Sequence, residues 1–457
     1  MPQNALRIAA PRTGCSSPER VLSIIARLKG NEGEIEEICR IAGIAGASVG
    51  ILYESEVIYK HHHGFQNIAT QEIANDNTLY GIGSCSNQEL PTNVGNFLQN
   101  GHRAYNSGNG DHLIAKKYFG TYLQALKPAT PFREKWIYNS HGYSIVGELL
   151  TTSTRKSLNS LLEEYVNKPL GLTRTATELD FENETNFAKP YSPLDDGTPF
   201  ELRERQDFRG HFFEAAAGVH STLDDILKLF QANMNSIHAA TEPIPTSNVI
   251  KEPETLFSQH IPVLNPSFHE RSYALGWIRT QLPGVAGVMG DNPRIFSMDE
   301  LPVIGEGTES RLLLYHQGAT VGYFPSLYQF PESKSGIAVL TNSIALGDQA
   351  DWIAQNLTQV LFNDSKKVDW LALSEKTKNR CLAKYKHMKD TIASRENPGA
   401  PRNMDEYTRN YWDATGLFYI QVRRKPESDN TCASLFKDWR STRTIFDTIM
   451  TMCSNGL

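Results

Sequence analysis

The sequence predicts an α+β protein: an antiparallel sheet flanked by helices, broken by a helical insertion, with a small C-terminal β domain. Three observations lead there. Period-two apolar runs stand early, at 47–65, and short apolar runs return at 273–343. Helical-period runs fill the space between, and another closes the second set of strands. After residue 404 the chain turns to aromatic-rich alternating runs.

The elements follow in order. Residues 1–19 read as a loose tail with Pro2, Pro11, Gly14 and Pro18. Val21, Ile24, Ile25, Leu28, Ile35 and Ile38 give helical periodicity over 20–40. "ASVGILYES" and "EVIYKHHHGF" read as a hairpin. Helices are predicted at 140–155 and at 158–171, the second stopped by Pro169 and Gly171. Another spans 221–235, with Ser221 as N-cap and Asp224 three residues on. "YALGWIRT", "RLLLYHQGAT", "PSLYQFPES" and "GIAVLTNS" are strands, and 348–363 is a helix. The resulting division is a tail and lead-in helix over 1–34, a main domain over 35–363, a linker helix and loop over 364–403, and a β domain over 404–457.

Bulk properties narrow the function. Hydrophobic residues make up 40% and charged residues 21%, enough to bury a core. With 45 basic against 51 acidic side chains, the formal charge is −6, which argues against nucleic acid or an anionic membrane as partner. Six cysteines without CxxC spacing give no zinc or disulfide framework. The first twenty residues hold no signal-like apolar core, and no run nears the roughly 20 apolar residues of a membrane span. The expectation is a cytoplasmic protein with a small-molecule substrate, and no metal or organic cofactor is implied.

Several motifs have bland readings. Gly46-Ala47-Ser48-Val49-Gly50 matches GxSxG, but a strand follows the serine where that motif needs a helix. In His61-His62-His63 a strand puts at most two rings on one face, so a solvated strand end outweighs a metal site. Asp195-Asp196 sits in turn chemistry, and Asp224-Asp225 in the first turn of a helix.

Three other segments combine. "YGIGSCSN" places Ser84 at a strand-to-helix junction, "WIYNSHGYS" places Tyr138, Asn139 and Ser140 before a helix, and "LLLYHQGAT" places His316, Gln317 and Gly318 on a strand. Together they supply a hydroxyl nucleophile, a phenol able to shuttle a proton, and an imidazole beside a glycine where a ligand approaches backbone.

With these motifs the chain resembles the serine β-lactamase and penicillin-binding-protein family, most of all its class C-related esterases, D-aminopeptidases and acyltransferases of fungal type. The likeness extends through "IAGASVGILYESEVIYKHHHGF", "NDNTLYGIGSCS", "AAAGVHSTLDDILKLF" and "GATVGYFPSLYQFPESKSGIAVLTNS", over roughly residues 35–363. The tail from about 404 resembles a small β domain often appended to such enzymes. The resemblance implies a β-lactamase/transpeptidase-like fold, with Ser84 the acylated nucleophile and Tyr138 the base or proton carrier. His316 and Gly318 would line the strand edge, and the N–H groups of Ser84 and Ala319 would form an oxyanion hole. Substrate contacts would come from these residues with Ser140 and Asn87.

The departures are as specific. Asn87 stands where the family's Ser-x-x-Lys has lysine, and Ser140 where Tyr-x-Asn has asparagine. Tyr138 follows Ser84 by only 54 positions, several tens fewer than the family usually has. Val94, Phe97 and Leu98, with Gly101 as a stop, keep a helical register after Ser84, and Pro91 kinks it. The deficit therefore falls after Gly101, where "HRAYNSGNGDH" reads as loop. Lys116 and Lys117 are the lysines nearest in sequence to the gap. The implied function is a serine hydrolase or acyltransferase acting on a small ester or amide, as in fungal secondary metabolism. The alternative is an impaired or inactive member with a binding or scaffold role, or a truncated gene product. Asn87 is the residue on which the two divide.

Overall fold

A computed structural model describes residues 16–88, 116–125, 131, 134, 136–202, 207–239, 250–263, 269–395, 403–412, 416 and 419–421. Helix α1 (Pro18–Gly30) starts at Ser17, whose side chain accepts from Arg20 N–H. The single helix predicted over 20–40 breaks at Asn31, and α2 (Glu32–Ala42) follows. Strands β1 (Gly46–Tyr53) and β2 (Glu56–Gly64) form the predicted hairpin, turned by Glu54 and Ser55 at φ 51° and 65°. A two-residue strand, β3 (Tyr80–Gly81), leads into the site.

Helix α3 (Ser140–Thr154) matches its predicted span to one residue. The predicted helix over 158–171 relaxes into a π turn at Glu163–Asn167 before stopping at Gly171. Strand β4 (His220–Ser221) precedes α4 (Leu223–Ala239). Ser221 pairs with Tyr80 in the ladder, so Thr222, not Ser221, caps α4 and accepts from Asp225 N–H at 3.2 Å.

The sheet is completed by β5 (Ile261–Pro262), β6 (Arg271–Tyr273), β7 (Ile278–Leu282), β8 (Arg311–Gln317), β9 (Phe324–Phe330) and β10 (Ser335–Thr341). Its order is β2-β1-β10-β9-β8-β7-β6-β5, antiparallel throughout. The first and closing strands thus pair as the second and third strands of the sheet, inside its β2 edge, and both β1 and β10 are fully buried.

Alternation sorts the side chains into two layers. Val49, Ile51, Leu313, Tyr315, Ile337 and Val339 pack with α1, α2 and α5 (Gln349–Phe362). Leu314, Leu327, Ala338 and Leu340 pack with Leu223, Leu227 and Phe230 of α4. Two glycines let α4 lie close: a Cβ on Gly50 would meet Leu227 at 2.8 Å, and one on Gly336 would meet Phe230 at 2.5 Å.

Helix α6 (Trp370–Arg395) continues from α5, with Trp370 buried and its indole N–H donating to Gln359. Arg380 lies over Phe296 and pairs with Glu300. In the C-terminal segment β11 (Asn410–Trp412) pairs with β12 (Tyr419–Gln421). The rest of the expected β domain lies outside the described residues, as does the helical register at Val94, Phe97 and Leu98. Among the described residues no helix is long and apolar enough to cross a membrane.

Candidate active site

The segment before Ser84 is held by backbone. Tyr80 and Gly81 pair with Ser221 and His220, and Ile82 N–H donates to Val219 O at 3.0 Å. Gly83 takes φ +49°, and the chain enters a 3₁₀ turn over Gly83–Gln88, where Cys85 N–H donates to Ile82 O. Ser86 Oγ accepts from Val219 N–H at 3.2 Å, pinning the turn a second time to the small-residue segment before α4.

This turn lies directly on the end of β8. A Cβ on Gly318 would stand 2.3 Å from Ile82 O, and one on Gly83 would stand 3.0 Å from Ala319 N. Only hydrogen fits at both places, so the Ser84 turn and the strand edge approach as backbones. The N–H groups of Ser84 and Ala319 donate no hydrogen bond among the described residues. They are the free donors an oxyanion needs.

In a 3₁₀ turn residues i and i+3 eclipse, which brings Ser84 and Asn87 to one side. Asn87 Nδ2 donates to Tyr138 Oη at 2.7 Å, and the Ser84 and Ser140 hydroxyls lie close enough to the same phenol to act on its proton. Ser84 and Tyr138 are partly exposed and Asn87 is buried. Burial pushes the Tyr138 phenol up to about 12, against the pull of hydrogen bonds from Ser84 and Asn87. Asn87 Oδ1 is sealed from solvent and accepts no hydrogen bond among the described residues. Asn139 takes no part in this cluster; it caps α3, its Oδ1 accepting from His141 N–H at 3.0 Å.

His316 takes a different position from the one its motif suggests. It is fully buried behind Tyr138, ring centroids 5.8 Å apart. Its Nδ1 donates to Gln317 O at 2.6 Å, which leaves Nε2 to accept from the Tyr273 hydroxyl at 3.2 Å. Tyr143 then donates to Tyr273 at 2.9 Å. Burial lowers His316 to about 4, so the ring is neutral at pH 7. It supports Tyr138 from behind. Tyr273, Tyr143 and Trp136, the last 5.5 Å from Tyr273 ring to ring, complete that wall. Sequence reasoning missed these three, since an aromatic in an apolar run carries no signal of facing a site.

Neither nearby lysine replaces the missing one. Lys116 donates to Thr151 and pairs with Glu148, near the far end of α3, on the order of 16 Å along the helix from Ser140. Lys117 lies over the ring of Tyr118.

The GxSxG serine and the histidine run meet elsewhere. His62 Nε2 donates to Asp76 at 2.9 Å, Nδ1 accepts from Ser48 at 2.8 Å, and Tyr80 donates to Ser48 at 2.8 Å. The order is that of a Ser-His-Asp relay, but Ser48 is fully buried in β1, where no acyl group reaches it. It ties the sheet to the strand before Ser84. His61 faces Glu32 and Glu36 instead, at 3.9 and 4.0 Å, and no group of three metal-ligating side chains exists among the described residues.

The sequence model of the Beta-lactamase family matches residues 98–359, more than half of the chain. The chain belongs to the Beta-lactamase family. Its relatives in that family are distant. A beta-lactamase of Yersinia enterocolitica is 23% identical over 337 residues, covering 66% of this chain and 82% of the relative. The unguisins hydrolase of Aspergillus violaceofuscus is 24% identical over 238 residues, 48% of this chain and 36% of the relative. The octameric penicillin-binding protein homologue of Pyrococcus abyssi superposes with a TM-score of 0.52 at 16% identity, covering 87% of this chain and 86% of that one. The antiparallel sheet flanked by helices is therefore the β-lactamase/transpeptidase fold. The family match begins beyond Ser84, so the roles at that turn rest on geometry.

Proposed function

We propose that this Beta-lactamase family member is a serine hydrolase or acyltransferase of small esters or amides, slow at neutral pH. The observation that carries the reading is one cluster, the Tyr138 phenol hydrogen-bonded by Asn87 with the Ser84 hydroxyl acting on it, set beside two unused backbone donors. Ser84 Oγ attacks the carbonyl while Tyr138 takes its proton. The oxyanion forms against the N–H groups of Ser84 and Ala319, each such donor typically worth about 3 kcal/mol. Tyr138 returns the proton to the leaving group, and water or another acceptor then removes the acyl group from Ser84. Ser140, at the head of α3, is placed to bond a substrate carbonyl. The fungal relative named as an unguisins hydrolase supports a secondary-metabolite substrate.

The slowness follows from Tyr138. A phenol near 12 is phenolate in roughly one part in 10⁵ at pH 7. Asn87 offers a hydrogen bond but no charge to change that. The same fact favours a second reading, a binding or scaffold protein on the same fold. Incubation with p-nitrophenyl acetate, followed by intact-protein and peptide mass spectrometry, separates them. Acetyl on Ser84 in the wild type and none in Ser84→Ala supports the enzyme. An unmodified Ser84 across hours at pH 9 supports the binding protein.

A further inference from the structure

We infer that Trp136, with the aromatic wall around Tyr138, seats the leaving group of the substrate, and that this group carries an aromatic ring: the alcohol of an arylalkyl ester or the amine of an arylalkyl amide. The inference deepens the function proposed above and rests on it for the course of the reaction. Trp136 stands two residues before Tyr138, and Asn139 after them is extended, with φ −144° and ψ 99°. Period two turns both rings to one side, their centroids 6.5 Å apart and their planes tilted by 50°. Trp136 also lies 5.5 Å from the Tyr273 ring, and both Trp136 and Tyr138 keep part of their surface open. The polar atoms behind them are engaged with one another. The Tyr143 hydroxyl donates to Tyr273, Tyr273 to His316 Nε2, and His316 Nδ1 to the Gln317 carbonyl. What Tyr273, Tyr143 and His316 leave to a ligand is ring surface.

The side of the substrate that meets this surface follows from the proton. The oxyanion points to the N–H groups of Ser84 and Ala319, at the end of β8. The Ser84 Oγ–carbon bond forms, the bond from the carbonyl carbon to the departing oxygen or nitrogen breaks, and Tyr138 hands its proton to that departing atom. The departing atom therefore lies against the Tyr138 hydroxyl, and the rest of its group extends over the neighbouring ring, Trp136. Aromatic rings gain more from one another than their buried area alone supplies, by an amount that corresponds to about three- to tenfold in affinity. An aromatic leaving group is thus favoured over a saturated one of the same size.

The test has a kinetic arm and a binding arm. The esters 2-phenylethyl acetate and 2-cyclohexylethyl acetate share one acyl group and release alcohols of nearly equal basicity, so the ratio of their rates reads the leaving-group side alone. Acetylation of Ser84 by each is followed at pH 9 by peptide mass spectrometry. The wild type is expected to use the phenyl ester about three- to tenfold better. Trp136→Phe keeps that ratio, and Trp136→Leu, which retains apolar bulk without a ring, brings it close to one. The ratio is the measure because a merely structural change slows both esters alike. In the binding arm the released alcohols, 2-phenylethanol and 2-cyclohexylethanol, are titrated onto Ser84→Ala and onto Ser84→Ala with Trp136→Leu, by saturation-transfer NMR. The same preference is expected in the first protein and its loss in the second. A binding preference that depends on Trp136, with no Ser84 acetylation by either ester, keeps the aromatic subsite and overturns the proposed chemistry. Equal use and equal binding of the two rings in proteins with Trp136 intact, or a preference unchanged in Trp136→Leu, overturns the subsite.

Discussion

At the residue scale, the proposed chemistry depends on one phenol and the amide beside it. Burial holds the Tyr138 proton up to about 12, so its basic form grows with every unit of pH below that value. The Ser84-dependent esterase rate, corrected with Ser84→Ala, is expected to climb about tenfold per unit between pH 7 and 9. A profile flat over that range would show that Tyr138 is not the base. Asn87 and Ser140 were legible from the sequence as departures from two motifs, because each occupies a fixed offset from a recognisable neighbour. The position of His316 was not legible. Its offset in the motif is right, but strand alternation alone does not reveal that Tyr138 and Tyr273 cover it.

At the level of elements, the site depends on two backbones in contact. The Ser84 turn rests on the end of β8 because Gly83 and Gly318 carry no Cβ. Gly318→Ala sets a methyl 2.3 Å from Ile82 O and 2.7 Å from the Pro325 ring. The expected result is a stability loss of about 1–3 kcal/mol by urea unfolding. A fall in Ser84 acylation of more than tenfold should accompany it, since the oxyanion donors move apart. Unchanged acylation in a folded variant would mean that the two N–H groups do not act as a pair. Helix α3 and the β1–β2 hairpin were predicted almost to the residue, since each has strong periodicity and local stop signals. The helix over 20–40 and the N-cap of α4 shifted for tertiary reasons: α2 turns to cover the sheet, and Ser221 is drawn into a ladder with Tyr80.

At the scale of the whole molecule, a buried acidic pair joins the sheet to α5 behind the site. Asp351 accepts from Gln317 at 2.6 Å, Tyr328 at 2.7 Å and Gln355 at 2.8 Å, so it anchors the strand that carries His316 and Gly318. Asp348 caps α5, accepting from Asp351 N–H at 3.1 Å. Burial raises both carboxyls, and the charges of Asp351 and Asp291 raise Asp348 further. A carboxyl raised on folding binds its proton more tightly in the native state. Wild-type stability therefore falls as pH rises from the ordinary carboxylate range through the raised value. Asp348→Asn keeps a capping oxygen and removes the titration. It is expected to be more stable than wild type at pH 8, with the advantage shrinking at pH 5. An advantage that is equal at both pH values would place the effect elsewhere. The α+β class was legible because strands and helices alternate in blocks; the strand order was not, because it is set by which strands pair across the chain. The acidic pair was not, because the sequence shows only a helix over 348–363 and nothing in its pattern marks Asp348 and Asp351 as buried.

The claim that Ser84 is a nucleophile limited by the missing charge at Asn87 meets its most direct test in the rate of fluorophosphonate labelling at pH 7, followed by intact-protein mass. The expected result is slow, single-site labelling at Ser84 in the wild type, none in Ser84→Ala, and at least tenfold faster labelling in Asn87→Lys. Absence of a Ser84 adduct in both the wild type and Asn87→Lys would contradict it.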